Sequence, residues 1–436
     1  MRAASATRDQ GASCAGSCPA VAAKARPEPR TARRVGRGRR AEGMAGKMRA
    51  RRRGSRARAV AAAHVRVCGP GRCPCTLVLV KPERECYVSV NGHREFRGGE
   101  TAMTTTLAIN GFGRIGRNIL RAIAESGRRD VEVVAINDLY PTATNAHLLQ
   151  YDSVHGRFGG EITSGEDWID AGGGRIRVTA ERDPAALPWK DVDVVLECTG
   201  IFTERQKAAA HLEAGAARVL ISAPGKGADA TVVMGVNEDT LSGDHLVVSN
   251  ASCTTNCLAP VAKVLHDTVG IERGFMTTVH AYTGDQPTLD TGHKDLYRAR
   301  AAAMSMIPTS TGAARAVGLV LPELDGRLDG VAVRVPTPNV SCVDLTFDAG
   351  RDTDAEEINA AFAAAAEGPL AGILAVTEAP LVSVDLNHSP VSATVALEQT
   401  RVLDRRMVRV LAWYDNEWGF SNRMADVAAV MGRLIG

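Results

Sequence analysis

Two cysteines four residues apart, Cys253 and Cys257, stand in the stretch SNASCTTNCLAP, surrounded by Ser, Thr and Asn. The arrangement could serve as a metal clip, a redox pair, or one reactive thiol with a bystander. A redox pair ordinarily uses C-x-x-C, and this is C-x-x-x-C. Cys253 follows an apolar run that reads as a strand and precedes a helical pattern, with Thr254 and Thr255 in the first turn. A helix N-terminus favours thiolate over thiol through its free N–H donors and its dipole. Cys257 lies one turn deeper, before LAPV, and is expected to face packing. The pattern therefore favours one nucleophile and no metal.

A nucleophile needs a base. His280, in TTVHAYTGDQ, falls late in a long strand pattern that returns from the helix beginning at Cys253, so it can reach that helix start and pair with the thiol. A histidine in a strand is by itself more often structural; the placement of Cys253 raises the catalytic reading. His211, His266 and His388 lack such a context and are expected on surfaces or in hydrogen bonds. Anion-binding candidates follow: Thr311 and Gly312 in STGAARAV, a loop entering a helix; Arg298 and Arg300 in HKDLYRARAAA; and Arg334, between Val333 and Val335 in a strand pattern. A strand-embedded guanidinium needs an anion or a carboxylate beside it. Internal salt bridges are the competing account of these arginines.

A second chemistry is written in INGFGRIGRNIL, where Gly111, Gly113 and Gly116 have G-x-G-x-x-G spacing. Alone this is a weak signal. Here it follows a strand pattern and opens a helix, the context in which the turn's N–H groups receive a pyrophosphate. Asp138, ending VVAIND, is suited to the ribose hydroxyls and would repel a 2′-phosphate, so NAD is expected over NADP. A ligand-free glycine turn with a surface Asp is the competing account.

These groups require two kinds of scaffold. Up to about residue 250, TLAIN, VEVVAIN, VDVVLECTG, RVLISA and HLVVSNAS read as buried strands alternating with helical stretches, which predicts an α/β Rossmann NAD-binding domain over 103–252. After Cys253 the strand patterns lengthen: GFMTTVHAYT, GVAVRVPTP, VSCVDLTFD and RMVRVLAWYD. They predict an α+β catalytic domain over 253–416 with a mostly antiparallel sheet. WGFSNRMADVAAVMGRLI predicts a C-terminal helix, 417–436, returning to the NAD-binding domain.

Residues 1–102 differ in kind. They carry 23 Lys/Arg against 7 Asp/Glu, whereas the remaining 334 residues carry 29 basic and 42 acidic groups. Stretches such as RTARRVGRGRR offer little to bury, so a disordered Arg-rich extension is expected. It could be a nucleic-acid-binding arm, a transit peptide, or a zinc module using Cys14, Cys18, Cys68, Cys73, Cys75 and Cys86. No paired C-x-x-C units support the last. Translated upstream sequence, with synthesis starting at Met103, is the expected account. No run of 18 apolar residues predicts a membrane span, and a cytoplasmic protein is expected.

The motifs INGFGRIGR, SCTTNC, TVHAYTGDQ, PTSTGAA, RVPTPNVS and WYDNEWGFSNRM together resemble, in order and spacing, the phosphorylating glyceraldehyde-3-phosphate dehydrogenases of bacterial type. The resemblance runs from about Thr105 to Gly436. It implies oxidation of glyceraldehyde 3-phosphate with NAD and inorganic phosphate through a Cys253 thiohemiacetal and thioester, with His280 as base. By motif match, Ser252, Thr254, Thr283, Arg298, Thr311, Gly312 and Arg334 would form two anion sites. Arg114, Ile115, Asp138, Arg182, Thr199, Ser222 and Asn416 would join the glycines around the cofactor. The Cys253 N–H and the Thr254 hydroxyl would face the oxyanion. The family implies a homotetramer, with residues 282–303 lying between cofactor and neighbouring subunit.

Two departures stand out. Thr291-Gly292 replaces the Leu-Pro of many NAD-selective members, leaving NADP tolerance open, and Tyr297 stands where many relatives have a second Arg. Erythrose-4-phosphate dehydrogenase on the same scaffold, and nucleic-acid binding through the basic arm, are the rival functions.

Overall fold

The structure, a computed structural model, describes residues 104–435. The expectations for residues 1–102, including the zinc reading of their cysteines, lie outside the described residues.

Two large sheets organise the chain. In the first, Thr105–Asn110 sits centrally between Val131–Asn137 and Val194–Glu197, all parallel. Arg218–Ile221, Val247–Ser249 and Ala230–Thr231 extend one side in parallel, and Arg175–Thr179 the other. Apart from Arg175–Thr179, whose burial alternates, and the half-buried Ala230–Thr231, these strands are mostly buried runs rich in Val, Ile and Leu because helices cover both faces. Beyond Arg175–Thr179, Trp168–Asp170 and Thr163–Ser164 add an antiparallel edge, which the apolar-run reading missed. The same reading missed Arg175–Thr179, whose signal is the alternation in GRIRVT.

The helix Arg114–Ser126 follows the central strand and ends at Gly127, whose φ of +65° suits glycine. The C-terminal helix Trp418–Arg433 packs beside it: Phe420, Met424 and Val427 share a buried cluster with Leu107, Ile109 and Ile119.

The second sheet is mostly antiparallel, as its long strand patterns predict. Ile271–Ala281 pairs antiparallel with Ser341–Ala349, which pairs antiparallel with Met407–Tyr414. On its other side Ile271–Ala281 runs parallel to Leu328–Val335. Two short strands, Leu374–Thr377 and Ala393–Ala396, and the helix Ala355–Glu367 complete the layer. The sequence reading did not name this helix; its N-cap is Asp354, whose carboxylate accepts the Glu357 N–H at 2.9 Å.

Cys253–Val269 is the helix that joins the two sheets' business ends. Cys257, Leu258, Val261 and Leu265 lie buried with Met276, Val343 and Val410 from the sheet. Each such aliphatic side chain contributes about 1.5–3 kcal/mol by leaving water, which anchors the helix and with it the Cys253 end. STGAARAV differs from expectation. It leads into a 3₁₀ turn, Arg315–Leu319, in place of an α-helix.

Candidate active site

Ser252 caps the helix: its hydroxyl accepts from the Thr255 N–H at 3.1 Å. Ala251, just before it, has a φ of +54°, a left-handed turn that carries the chain from strand to helix. Cys253 is thereby set at the first helical position, half-buried, where first-turn N–H groups have no intrahelical acceptor. Its Sγ lies 3.5 Å from Nε2 of His280. Cys257 is fully buried, the companion and not a second reactive group.

The parallel register places His280 directly opposite Arg334. His280 Nδ1 is 2.7 Å from the Ala281 carbonyl, and Arg334 Nη1 reaches the same oxygen at 2.9 Å while lying 2.8 Å from Nδ1. A carbonyl can only accept and a guanidinium can only donate, so the two contacts draw Nδ1 toward opposite tautomers; base chemistry uses the one with the hydrogen on Nδ1, bonded to the carbonyl. That leaves a lone pair on Nε2 facing the thiol, the arrangement a base requires.

Taken singly, the two groups resist ionisation. Burial, and then the neighbouring guanidinium of Arg334, holds the His280 imidazole down at about 3. Burial pushes the Cys253 thiol up, against the pull of Arg334 and of hydrogen bonds from Thr254. A proton passing from Sγ to Nε2 creates both ions at once, each then stabilised by the other, by Arg334 at the thiolate, and by the helix N-terminus.

The arginines divide sharply. Arg298 donates to Asp285 at 2.9 Å and to Thr309 at 3.0 Å, and Arg300 pairs with Asp290 at 2.8 Å. Both are paired with carboxylates, so an anion at Arg298 would compete with Asp285. Among the described residues Arg334 has no carboxylate partner, and its Nε is buried without any acceptor. It is a cation beside the thiol with donors to spare. Thr283 and Thr311 are part-buried and Gly312 is exposed, with no atom within 4 Å of where a Cβ would stand. The Thr254 hydroxyl is buried against Tyr414 Oη at 2.8 Å, and Tyr414 also meets the Thr278 hydroxyl at 2.9 Å. Tyr414, stacked edge-on to His280 at 5.8 Å between ring centroids, was missed by the sequence reading.

At the glycine turn, Gly111 has a φ of +93°, and a Cβ there would fall 2.7 Å from the Thr199 nitrogen. A Cβ on Gly116 would stand 2.3 Å from the Gly111 carbonyl oxygen. Both positions need glycine for close packing of turn, strand and helix. Gly113 is different: nothing lies within 4 Å of its missing Cβ, so the turn is open there to a ligand. The first-turn N–H groups of Arg114, Ile115 and Gly116 follow it. The Asp138 carboxylate receives the Phe112 N–H at 2.8 Å and the Tyr140 N–H at 3.0 Å, tying the second strand's tip to this turn.

The Arg114 guanidinium is committed to Glu417 and Asp152, so its side chain serves the scaffold and only its backbone faces the turn. Arg182 is exposed. Thr199 bonds through its N–H and hydroxyl to the buried Glu197, and the Ser222 N–H to the Glu197 carbonyl at 3.0 Å. The side-chain oxygen of Asn416 accepts from Ser341 at 2.7 Å, and Ser341 in turn accepts the Ala281 N–H at 3.1 Å. Asn416 is thus braced against the strand that carries His280. Of the histidines expected on surfaces or in hydrogen bonds, His211 is wholly buried, joining Trp189 at 2.9 Å to Glu197 at 3.0 Å.

The chain is similar to known proteins of one family. Residues 105–205 match the family model described as glyceraldehyde 3-phosphate dehydrogenase, NAD binding domain, and residues 252–416 its C-terminal domain. The glyceraldehyde-3-phosphate dehydrogenase of Cereibacter sphaeroides is 71% identical over 333 residues, 76% of this chain and 100% of the relative. That of Xanthobacter flavus is 70% identical over 334 residues, again 76% and 100%. The Geobacillus stearothermophilus enzyme is 58% identical over 330 residues, 75% of this chain and 98% of the relative.

Proposed function

The chain belongs to the NAD-dependent glyceraldehyde-3-phosphate dehydrogenase family, and from that premise we propose that it converts D-glyceraldehyde 3-phosphate, NAD and inorganic phosphate to 1,3-bisphosphoglycerate through a thioester on Cys253. The observation that carries this reading is the Sγ–Nε2 pair at 3.5 Å on a helix N-terminus, beside a guanidinium without a carboxylate partner.

The thiol gives its proton to Nε2 of His280, and Sγ bonds to the aldehyde carbon. The developing oxyanion is met by the Cys253 N–H and takes the proton back from His280, giving a thiohemiacetal. NAD, when bound, supplies the hydride acceptor. His280 accepts the hydroxyl proton as the C–H electron pair departs, and the carbon becomes a thioester. An inorganic phosphate oxygen then attacks the thioester carbon, and the Cys253 thiolate leaves. Arg334, with Thr311 and Gly312, would receive one anion, and Arg298 with Thr283 the other, with Ser252 and Thr254 at the helix start beside them. The glycine turn with Asp138 would hold the dinucleotide, Arg182, Thr199 and Ser222 would line it, and Asn416 would fix its carboxamide end.

The same reading takes 103–252 as the NAD-binding domain, 253–416 as the catalytic domain and 417–436 as the returning helix. A homotetramer is what the family implies, and the exposed Phe275, Val279 and Val331 on one face of the paired strands Ile271–Ala281 and Leu328–Val335 fit a subunit contact. We propose a cytoplasmic, glycolytic and gluconeogenic role from the substrate; among the described residues no helix is long and apolar enough to cross a membrane. The test compares the full chain with residues 103–436. Both should reduce NAD with glyceraldehyde 3-phosphate only when phosphate or arsenate is present, and Cys253→Ala should abolish this. Phosphate-independent turnover, with erythrose 4-phosphate preferred, would overturn the assignment.

A further inference from the structure

A line of titratable side chains away from the thiol runs from the dinucleotide helix to the loop around residue 388. The Glu417 carboxylate accepts from Arg114 Nε at 2.8 Å and lies 3.1 Å from His155 Nε2. His155 Nδ1 is 3.1 Å from His388 Nδ1, and His388 Nε2 is 2.9 Å from a Glu125 carboxylate oxygen. Each Nε2 faces a carboxylate oxygen, so each must carry hydrogen to bond it. Two neutral rings in that tautomer would aim bare Nδ1 lone pairs at one another. A single added proton resolves the conflict and satisfies all three contacts. His388 is the better holder: its ring stacks on Trp418 at 3.6 Å between centroids, and its side chain is 35% exposed, while that of His155 is 0% exposed.

We propose that His155 and His388 share one proton in a Glu417–His155–His388–Glu125 chain, and that this proton makes NAD affinity pH-dependent by holding Glu417, a positioning residue. Glu417 follows Asn416 in sequence and grips Arg114 at the first position of the dinucleotide helix, so it links the two ends of the cofactor site. The loop end is held equally firmly. His388 has a φ of +69°, its N–H bonds Asp415 at 2.7 Å, and Asn387 Nδ2 bonds the Val154 carbonyl at 3.0 Å. The other charges facing the line are Asp152 on Arg114 and Arg121 on Glu125. Burial pushes both glutamates up, but His388 with Arg121 holds Glu125 below its usual value, and Arg114 with His155 does so for Glu417.

The added proton sits in a line closed at both ends by a carboxylate, and it is given up as pH rises; the His155–His388 contact that steadies Glu417 goes with it. NAD binding to the locked arrangement therefore takes up protons.

The inference rests on the glycine turn and Asn416 holding NAD. The experiment is titration calorimetry of NAD into the full chain from pH 6 to 9, in two buffers of different ionisation enthalpy. All proteins carry Cys253→Ala, so that the thiol does not titrate. The expected result is a Kd that rises about three- to tenfold with pH, with proton uptake on binding. His388→Gln should flatten both. Glu125→Gln, at a part-exposed carboxylate, should move the midpoint to lower pH even if the histidine variant folds poorly. A pH profile unchanged in both variants, or binding without proton uptake in the parent, would overturn the inference. No NAD binding at any pH would instead overturn the cofactor reading beneath it.

Discussion

Half-buried Cys253 and buried His280 each resist charge singly, and a proton shared between them would let both ionise together. With His280 replaced, the thiolate would have only Arg334 and the helix start against the burial cost. Alkylation of Cys253 by iodoacetamide should therefore reach half its maximal rate at lower pH in the parent protein than in His280→Asn, where the midpoint moves up. Equal midpoints would show that the imidazole does not share the proton. Turnover of His280→Asn should fall by about 10²–10⁴-fold, the usual worth of a positioned base. Arg334→Leu removes the guanidinium that lacks a carboxylate partner, so the KM for phosphate should rise about 10–100-fold in steady-state kinetics. An unchanged KM would return Arg334 to a structural role. At this scale the sequence was informative about Cys253, because cap, strand and helix signals are local. Tyr414 and Ser341 were not visible, because their partners Thr254, Thr278, Asn416 and Ala281 are joined only by the sheet register. Arg114 shows the converse: its position in the motif was clear, but not that Glu417, three hundred residues away, occupies its side chain.

Elements set these distances through packing that tolerates little change. The glycine turn is the clearest case, since a Cβ on Gly116 meets a backbone oxygen and no flexible side chain can yield. Gly116→Ala should lower stability by about 1–3 kcal/mol through overpacking and weaken NAD binding by more than tenfold. Thermal unfolding and fluorescence titration with NAD would check both, and normal binding would mean the turn does not depend on that contact. The long strands and the two helices flanking the glycine turn were readable because their apolar patterns are strong. The short strands Leu374–Thr377 and Ala393–Ala396 were not, because four residues carry no period and exist only by pairing. STGAARAV leads into a 3₁₀ turn, Arg315–Leu319, near whose end Gly318 lies so close to Asp325 that a Cβ there would clash.

The whole molecule works by bringing one end of the parallel sheet to the start of the helix Cys253–Val269 and laying the second sheet beneath it. One surface then presents the glycine turn, Asn416, the thiol and Arg334 together. On the proposed reading, oxidation and phosphate transfer are separate steps on Cys253, and the acyl group would rest there between them. Rapid-quench mass spectrometry would detect it directly, after mixing the full chain with NAD and glyceraldehyde 3-phosphate but no phosphate. The account predicts a burst of one reduced nicotinamide per subunit, and a 3-phosphoglyceroyl group on the Cys253 peptide that disappears on adding phosphate. A burst without a Cys253 adduct, or steady turnover without phosphate, would contradict it.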